Sequence, residues 1–381
     1  MHSSNEHTYH TVNSMDYECK LLFISTKPKN IQVGGRQSLT NLNNSVLKKI
    51  YNDRLICLEL IPIKKYLIKQ SCEIMNGLLD GASKKNVDLA NKLISDKKIS
   101  KIFIDGSNLG GIVFGIKNKY PDIEIITFCH NVEFAFFWGA FKKAKSIKSF
   151  LIAFANYLAE KKAVKYSDKI ICLNNRDSLK IKKVYGRYAT HISAIAINDI
   201  FNKKKSTPSI SLYEAYALFV GGNFYANRDG IIWFVNNVVK FINIKIVIVG
   251  SGMEVLAEKL SSDKVIVVGK VENLEYWYSN AHFVIAPIFD GSGMKTKVAE
   301  ALMFGKKIIG TPEAFTGYEE FIHLIGWSCK TIEDFVSAIS IAQIEITSSF
   351  NQDLRNIYIN NFSQDSAFFR LKKIVNNDFH Q

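Results

Sequence analysis

The residues best placed to do chemistry gather in one stretch, Ala286–Thr311, which reads APIFDGSGMKTKVAEALMFGKKIIGT. An apolar run ends at Ala286, and a glycine-rich turn, Gly291-Ser292-Gly293, leads into a helix expected from about Thr296. A helix start leaves backbone N–H groups without intrahelical partners and carries the positive end of the helix dipole, so such a turn is an anion site. Lys295 and Lys297 put two cations at that same end. A helix start favours acids by itself, so the pair makes electrostatic sense when an anion sits there. Glu300 follows one turn in, beside the small Ala299 and Ala301. A carboxylate at that position can accept two hydrogen bonds from a ribose diol. The plainer alternatives are two solvated lysines and an exposed helix-surface acid.

These residues need a scaffold that brings loops and helix starts to one place. Short apolar runs alternate with helix-like segments along most of the chain. The expected strands are Lys20–Ser25, Arg54–Leu60, Lys101–Ile104, Glu124–Phe128, Lys169–Leu173 and His191–Ala196, then Ala217–Val220, Lys245–Val249, Lys264–Val268, Phe283–Ala286 and Lys307–Gly310. Between them, helical spacing marks Gln37–Tyr51, Ser146–Tyr166, Asp177–Tyr185, Gly230–Phe241, Met253–Leu260 and Thr296–Phe304. Strand and helix in alternation predict an α/β fold with doubly wound parallel sheets. A polar, basic stretch with a proline, NKKKSTPSIS at 202–211, reads as a linker between two such domains. The expected organisation is a flexible tail over 1–16 (or a true start at Met15), a first domain over 17–205, a second over 206–350, and a helical segment over 351–381 that crosses back to the first domain. Two doubly wound domains in tandem leave a cleft between the carboxyl ends of their sheets, where such sheets bind ligands.

The Ala286–Thr311 segment resembles the nucleotide-binding core of the GT-B glycosyltransferases of the group-one family (family four). It is closest to a branch with a G-S-G-x-basic-x-Lys-x-x-Glu-Ala pattern, here Gly291, Ser292, Gly293, Lys295, Lys297, Glu300 and Ala301. The resemblance implies two Rossmann-like domains facing each other across a cleft, with Glu300 holding the donor ribose and Lys295 or Lys297 meeting the diphosphate. The commonest family pattern has two glutamates separated by seven residues, and this chain has Ser292 where the first would stand.

Other segments resemble the same family. Phe219–Val235, FVGGNFYANRDGIIWFV, is similar to the opening strand, loop and helix of the donor domain. There Gly221 and Gly222 would let phosphates approach the backbone, and Arg228 is a candidate diphosphate cation because a guanidinium grips phosphate in a bidentate way. Gly269–Leu274, GKVENL, is similar to the loop that holds the nucleobase, which implies backbone groups near Val271 against the base. In the first half, the loop within Ser25–Ser38 resembles the family's first loop, with Gly34 and Gly35 open to the donor phosphates and Arg36 as a further cation. Thr127–Glu133, TFCHNVE, places His130 at a strand end, where it resembles the acceptor-domain histidine that contacts the donor sugar, with Glu133 orienting a neighbour. His130, Lys297 and Glu300 are the expected catalytic residues.

Composition bounds the rest. The 381 residues are 47% hydrophobic and 22% charged, which is ordinary for a globular chain with two cores. No stretch of about 18 apolar residues is present, so no spanning helix is expected. Six scattered cysteines form no C-x-x-C pair, and several fall in expected strands where a free thiol behaves as a small buried hydrophobe, which suggests a reducing, cytoplasmic compartment. Lys and Arg number 49 against 35 acids, a net charge of +14, which fits phosphate-bearing substrates, an anionic membrane surface or nucleic acid. Phe134–Phe154 interleaves aromatic residues with lysines, which suits a membrane interface or a lipid-linked acceptor, against the plainer reading of a core helix with a solvated lysine face.

No D-x-D pair, no metal-ligand spacing among the eight histidines, no Walker A loop and no Gly-x-Ser-x-Gly elbow is present. No metal and no cofactor are therefore expected. The resemblance implies a retaining glycosyltransferase, metal-independent, moving a hexosyl or related group from a nucleotide-diphosphate sugar to a sugar or lipid-linked sugar acceptor. It further implies surface-polysaccharide or glycolipid synthesis at the inner membrane face. Three rivals stand beside it. One is a catalytically inactive GT-B-like binding protein. Another is an NAD-dependent oxidoreductase, suggested by Gly250-Ser251-Gly252 after an apolar run, though Val255 stands where a third glycine belongs and Gly269 where an acid is expected. The last is a nucleic-acid-binding protein, supported by charge alone and by no recognition motif, so no nucleic-acid partner is expected.

Overall fold

The computed structural model describes residues 19–27, 35–61, 77–201 and 215–376. The expected tail over 1–16, the linker stretch, Cys72 and Gly34 lie outside these residues.

Two six-stranded sheets, each wholly parallel, carry the chain. In the first, β1 (Leu21–Thr26), β2 (Leu55–Leu60), β3 (Lys101–Asp105), β4 (Glu124–Cys129), β5 (Lys169–Cys172) and β6 (His191–Ile192) lie in the order β2-β1-β3-β4-β5-β6. The second holds β7 (Tyr216–Val220), β8 (Lys245–Val249), β9 (Val265–Gly269), β10 (Phe283–Ala286), β11 (Ile308–Gly310) and β12 (Gly326–Ser328) in the order β12-β11-β10-β7-β8-β9. This is the doubly wound α/β architecture expected. The short β12 was not expected, because GWS is too brief and too mixed to carry an apolar period. Its pairing with β11 is what makes it a strand.

The strands form where runs of Val, Ile, Leu and Phe can be covered on both faces, and β7 is buried at every position. The helices that cover the first sheet are α1 (Gly35–Tyr51), α2 (Lys84–Lys97), α3 (Gly110–Lys119), α4 (Glu133–Ala144), α5 (Ile147–Tyr166) and α6 (Asn175–Tyr185). Those of the second are α7 (Tyr225–Asn237), α8 (Ala257–Leu260), α9 (Glu275–Asn280), α10 (Thr296–Met303), α11 (Ile322–Ile325) and α12 (Ile332–Glu345). Capping side chains set several starts. Ser83, Ser146, Asn174 and Thr331 each accept a hydrogen bond from the backbone N–H three residues on.

Each sheet reverses its winding once, between β1 and β3 in the first and between β7 and β10 in the second. Loops at these reversals diverge and leave a crevice at the carboxyl ends of the strands. The two crevices face each other. Two last helices, α13 (Gln352–Asn361) and α14 (Gln364–Asn376), lash the domains together. Arg355 pairs with Asp199 and donates to the Met303 carbonyl. The backbone N–H of Ile197 donates to the Phe362 carbonyl, and Arg370 donates to Ser193 Oγ and the Ala194 carbonyl. Gln364 then reaches Ser45 on α1.

Close backbone approach tightens the first domain. A Cβ at Gly110 would stand 1.8 Å from the Ala159 carbonyl oxygen, so α3 crosses α5 only because position 110 has no side chain. Gly110→Ala should therefore lower the unfolding free energy by about 1–3 kcal/mol or more, as overpacking does. Gly139→Ala, in α4 with nothing within 4 Å, should raise it by ~0.5–1 kcal/mol through helix propensity. Urea unfolding of both variants checks the contrast; an unaffected Gly110→Ala midpoint would refute the close crossing.

Candidate active site

The two crevices enclose a cavity of about 510 Å³ whose wall comes from both domains. From the first, Gly35, Arg36, His130 and Asn131 line it; from the second, Asn227, Gly291, Ser292, Gly293, Lys295 and Lys297. A neighbouring cavity of about 280 Å³, again between the domains, is lined by Ser38, Asn41, Asn198, Leu274, Tyr278 and Glu300. The glycine turn, both lysines, His130 and Gly35 are thus brought together, with Glu300 beside them around the next turn of α10.

On the first domain's side a buried carboxylate organises the wall. Asp105 ends β3 and accepts from Thr40 Oγ1 at 2.5 Å and Asn43 Nδ2 at 2.8 Å, both on α1, and lies 3.0 Å from His130 Nε2. Burial pushes the Asp105 carboxyl up, but the His130 charge and the three hydrogen bonds outweigh it, and the net direction is down from the usual aspartate value. An ionised Asp105 takes a donor, so Nε2 carries a hydrogen toward it and Nδ1 lies on the other side of the ring. Nδ1 is buried without a partner among the described residues, and so is Oδ1 of the adjoining Asn131. A buried polar atom left unpaired costs about 1–3 kcal/mol, which a ligand hydroxyl would recover.

Next to it, Arg36 donates to Glu133 Oε1 at 3.1 Å and Asn108 Oδ1 at 2.7 Å. Glu133 opens α4, whose first amides, those of Glu133 and Phe134, donate to the carboxylate of Glu160. Burial raises Glu160 to about 7, even with Ser107 and Tyr185 donating to it.

On the second domain's side the turn after β10 uses positive φ at Gly291 (147°) and Gly293 (62°). A Cβ at Gly293 would sit 2.9 Å from the His130 carbonyl, so this glycine is where the two crevices touch. Lys295 Nζ donates to the Gly293 carbonyl at 3.0 Å and to Glu313 Oε1 at 2.8 Å. The other Glu313 oxygen takes Arg176 Nη1 of the first domain at 2.5 Å. Burial pushes the Glu313 carboxyl up, and these two cations bring it below the usual value. Lys297 is 7% exposed. Its Nζ lies 2.8 Å from Asn227 Oδ1 and 4.4 Å from the centre of the Phe219 ring, and burial lowers it to about 7. Glu300 Oε2 accepts from Tyr278 OH at 2.7 Å, and burial raises its carboxyl.

Four of the donor-binding residues expected from sequence line neither cavity. Arg228 is half-exposed and turned onto its neighbour Asp229 at 3.1 Å; just before it, Ala226 and Asn227 are the α7 residues that line the cavity. Gly221 gives its N–H to the Val249 carbonyl, and a Cβ at Gly250 would meet the Gly221 carbonyl at 1.9 Å, so this glycine turn serves the close approach of the β7 and β8 loops. Gly222 receives Asn227 Nδ2 on its carbonyl. Val271 packs its side chain on the core of its own domain, while Leu274, three residues on, reaches the Glu300 cavity. Sequence reading set Asn131 beside His130 and missed Asp105, Arg176, Asn227, Tyr278 and Glu313. Only Asp105 left a signal, a carboxylate at a strand end just before a glycine.

The low value of Lys297 carries a sign. The unfolded lysine holds its proton up to about 10.5 and the folded one only to about 7, so the fold is penalised at pH 7 and below and the penalty is relieved as pH rises toward 10. Lys297→Met should therefore stabilise the protein most below pH 7, with the gain shrinking between pH 7 and 10. Denaturation of both proteins across that range measures it, and a pH-independent difference would refute the assignment.

Comparison with known proteins fits this geometry. Residues 214–342, which contain the glycine turn, both lysines and Glu300, match the family model described as Glycosyl transferases group 1. No curated protein sequence matches the chain. Among solved structures, sucrose-phosphate synthase from Thermosynechococcus elongatus superposes with a TM-score of 0.69 at 12% identity, over 94% of this chain and 99% of that one. Anabaena HepE in complex with UDP gives 0.66 at 12% identity, over 94% and 100%. The apo form of the lipopolysaccharide outer core galactosyltransferase WaaB gives 0.64 at 13%, over 94% and 100%. Over residues 214–342 the second domain thus resembles the group 1 glycosyl transferases, and the chain as a whole has the GT-B fold of two parallel α/β domains across a cleft.

Proposed function

We propose that this protein transfers a sugar from a nucleoside-diphosphate sugar to a hydroxyl acceptor, with retention at the anomeric carbon and without a metal ion. The observation that carries the reading is the convergence of the Gly291–Gly293 turn, Lys295 and Lys297 of one domain on His130 and Asn131 of the other. The diphosphate would lie against the turn and the start of α10, with Lys297 beside it. Nucleoside binding would fall to the adjoining cavity, where Glu300 faces a ribose diol and Leu274 the base. The unpaired Nδ1 of His130 and Oδ1 of Asn131 would pair with sugar hydroxyls, Oδ1 as acceptor.

In this reading catalysis comes from stabilising the charge that builds on the departing diphosphate. The acceptor oxygen bonds to the anomeric carbon on the face from which the phosphate oxygen leaves, and that phosphate oxygen takes the acceptor proton. Cationic side chains and the α10 dipole do the work a metal does elsewhere. A hexosyl donor and an acceptor in surface-polysaccharide or glycolipid synthesis, met at the cytoplasmic membrane face, complete the proposal. HepE was solved with UDP and with UDP-glucose, which makes UDP the first nucleotide to try.

Thermal unfolding with UDP, GDP, CDP, ADP, NAD and a short DNA, each with and without chelator, tests it. A nucleoside diphosphate at 100 times its Kd should stabilise the protein by ~2.7 kcal/mol. The expected result is stabilisation by one of the four, unchanged by chelator and weakened in Glu300→Ala. Stabilisation by NAD or DNA alone would overturn the proposal, and loss with chelator would overturn its metal-free part. A protein that binds the nucleotide and turns over no nucleotide-sugar would be the inactive binding protein instead.

A further inference from the structure

The α4–α5 corner is built with its residue sizes inverted. The buried positions of α5 are mostly small or polar, with Ala153, Asn156, Ala159 and Ala163 facing the domain. Its large apolar side chains at the start of the helix face out. Ile147 is 82% exposed, Leu151 49%, Phe150 41% and Ile152 39%. Ile147 and Leu151 stand one turn apart on the same face, and Phe150 rests on an aromatic base formed by Trp138 and Phe141 of α4. The fold does not need these outward side chains for its own core.

The chain around this apolar tip carries lysines and no acids. Lys142, Lys145 and Lys148 are exposed around it, and no acidic residue occurs anywhere from Phe134 to Ala159. Lys145 takes a left-handed turn conformation (φ 46°) that makes the corner and lifts Ile147 outward. The patch is also continuous with the cleft. On the same helix α4, Lys143 bonds Asp290 at 2.6 Å beside the glycine turn, and Phe136 lines the cavity between the domains. Among the described residues no helix is long and apolar enough to cross a membrane.

We propose that this corner docks the protein on an anionic lipid bilayer, with Ile147, Phe150 and Leu151 entering the headgroup–acyl boundary and the three lysines meeting lipid phosphates. A protein partner would need its own acidic ring to match these lysines, whereas an anionic bilayer supplies negative charge and an apolar interior together. Docking there would bring the cleft rim to the membrane surface. The inference stands on this surface and holds whatever the cleft binds.

Cosedimentation of the full chain with phosphatidylcholine vesicles, and with vesicles made with phosphatidylglycerol, is the test. The expected result is binding to the phosphatidylglycerol vesicles that weakens with salt, and little to phosphatidylcholine alone. Ile147→Glu with Leu151→Glu should cut the bound fraction about tenfold, because apolar burial and charge are both needed. Lys142→Gln with Lys145→Gln and Lys148→Gln should abolish the preference for phosphatidylglycerol while keeping the thermal unfolding curve, so a folding defect in the first variant would not hide the answer. No binding to either vesicle, or equal binding in wild type and in the lysine variant, would overturn the proposal. So would light scattering that shows a wild-type dimer converted to monomer by the Ile147 and Leu151 changes, since the patch would then be covered by a second copy.

Discussion

The contact between Gly293 and the carbonyl of His130 is the constraint on which the arrangement depends. One residue belongs to the turn after β10, beside the winding reversal of its sheet, and the other follows β4, one strand out from the reversal between β1 and β3. Parallel strands joined by right-handed crossovers put every strand's carboxyl end and every following helix start on the same edge. Setting two such edges face to face gathers glycine turns, helix dipoles and strand-end side chains into one enclosed space. A side chain at position 293 would hold the edges apart and open the cavity wall to water.

That face-to-face setting is held from outside the cavity as well as within it. Arg355 and Arg370 place guanidinium groups against the segment that leaves β6, so α13 and α14 grip the chain where it passes from one domain to the other. Within the cleft, Arg176 and Lys143 of the first domain meet Glu313 and Asp290 of the second. Phe136 stacks on Phe224 across the same gap at 6.1 Å. Buried apolar side chains of both domains, Leu39, Leu173 and Ile195 of the first and Met294 of the second among them, join in one cluster behind these polar pairs.

Much of this was legible in the sequence because its signals are local. An apolar run ending in glycines and followed by helical spacing is the same pattern whether it is read at Ala286–Thr311 or seen as β10, turn and α10. The glycine turn, Lys295 and Lys297 came together in the cavity because consecutive residues cannot be far apart. Arg228 misled because one step around a helix turns a side chain by about 100°, so a charge in the right segment can still face solvent while Asn227 faces in. Glu313 and Arg176 could not be read at all. They are joined across 137 residues and two domains, and nothing in either neighbourhood marks a partner. Asp105 matters through burial, which single-sequence patterns report for apolar residues and not for isolated polar ones.

The electrostatics of the cleft follow from how its cations are shared out. Lys143 has Asp290, Arg36 has Glu133, and Lys295 and Arg176 divide Glu313 between them. Lys297 has the amide oxygen of Asn227 and the face of Phe219, with Glu300 the carboxylate that favours its charge. A lysine so placed sits near its balance point at neutral pH because burial opposes the charge more than its neighbours support it. An anion brought to the turn would tip that balance toward the charged form, and the attraction would be strong because the same burial keeps water from screening it. The unevenness of the pairing, two cations on Glu313 and one on neutral partners, therefore leaves the excess positive charge at the glycine turn and the start of α10, where the backbone already favours an anion.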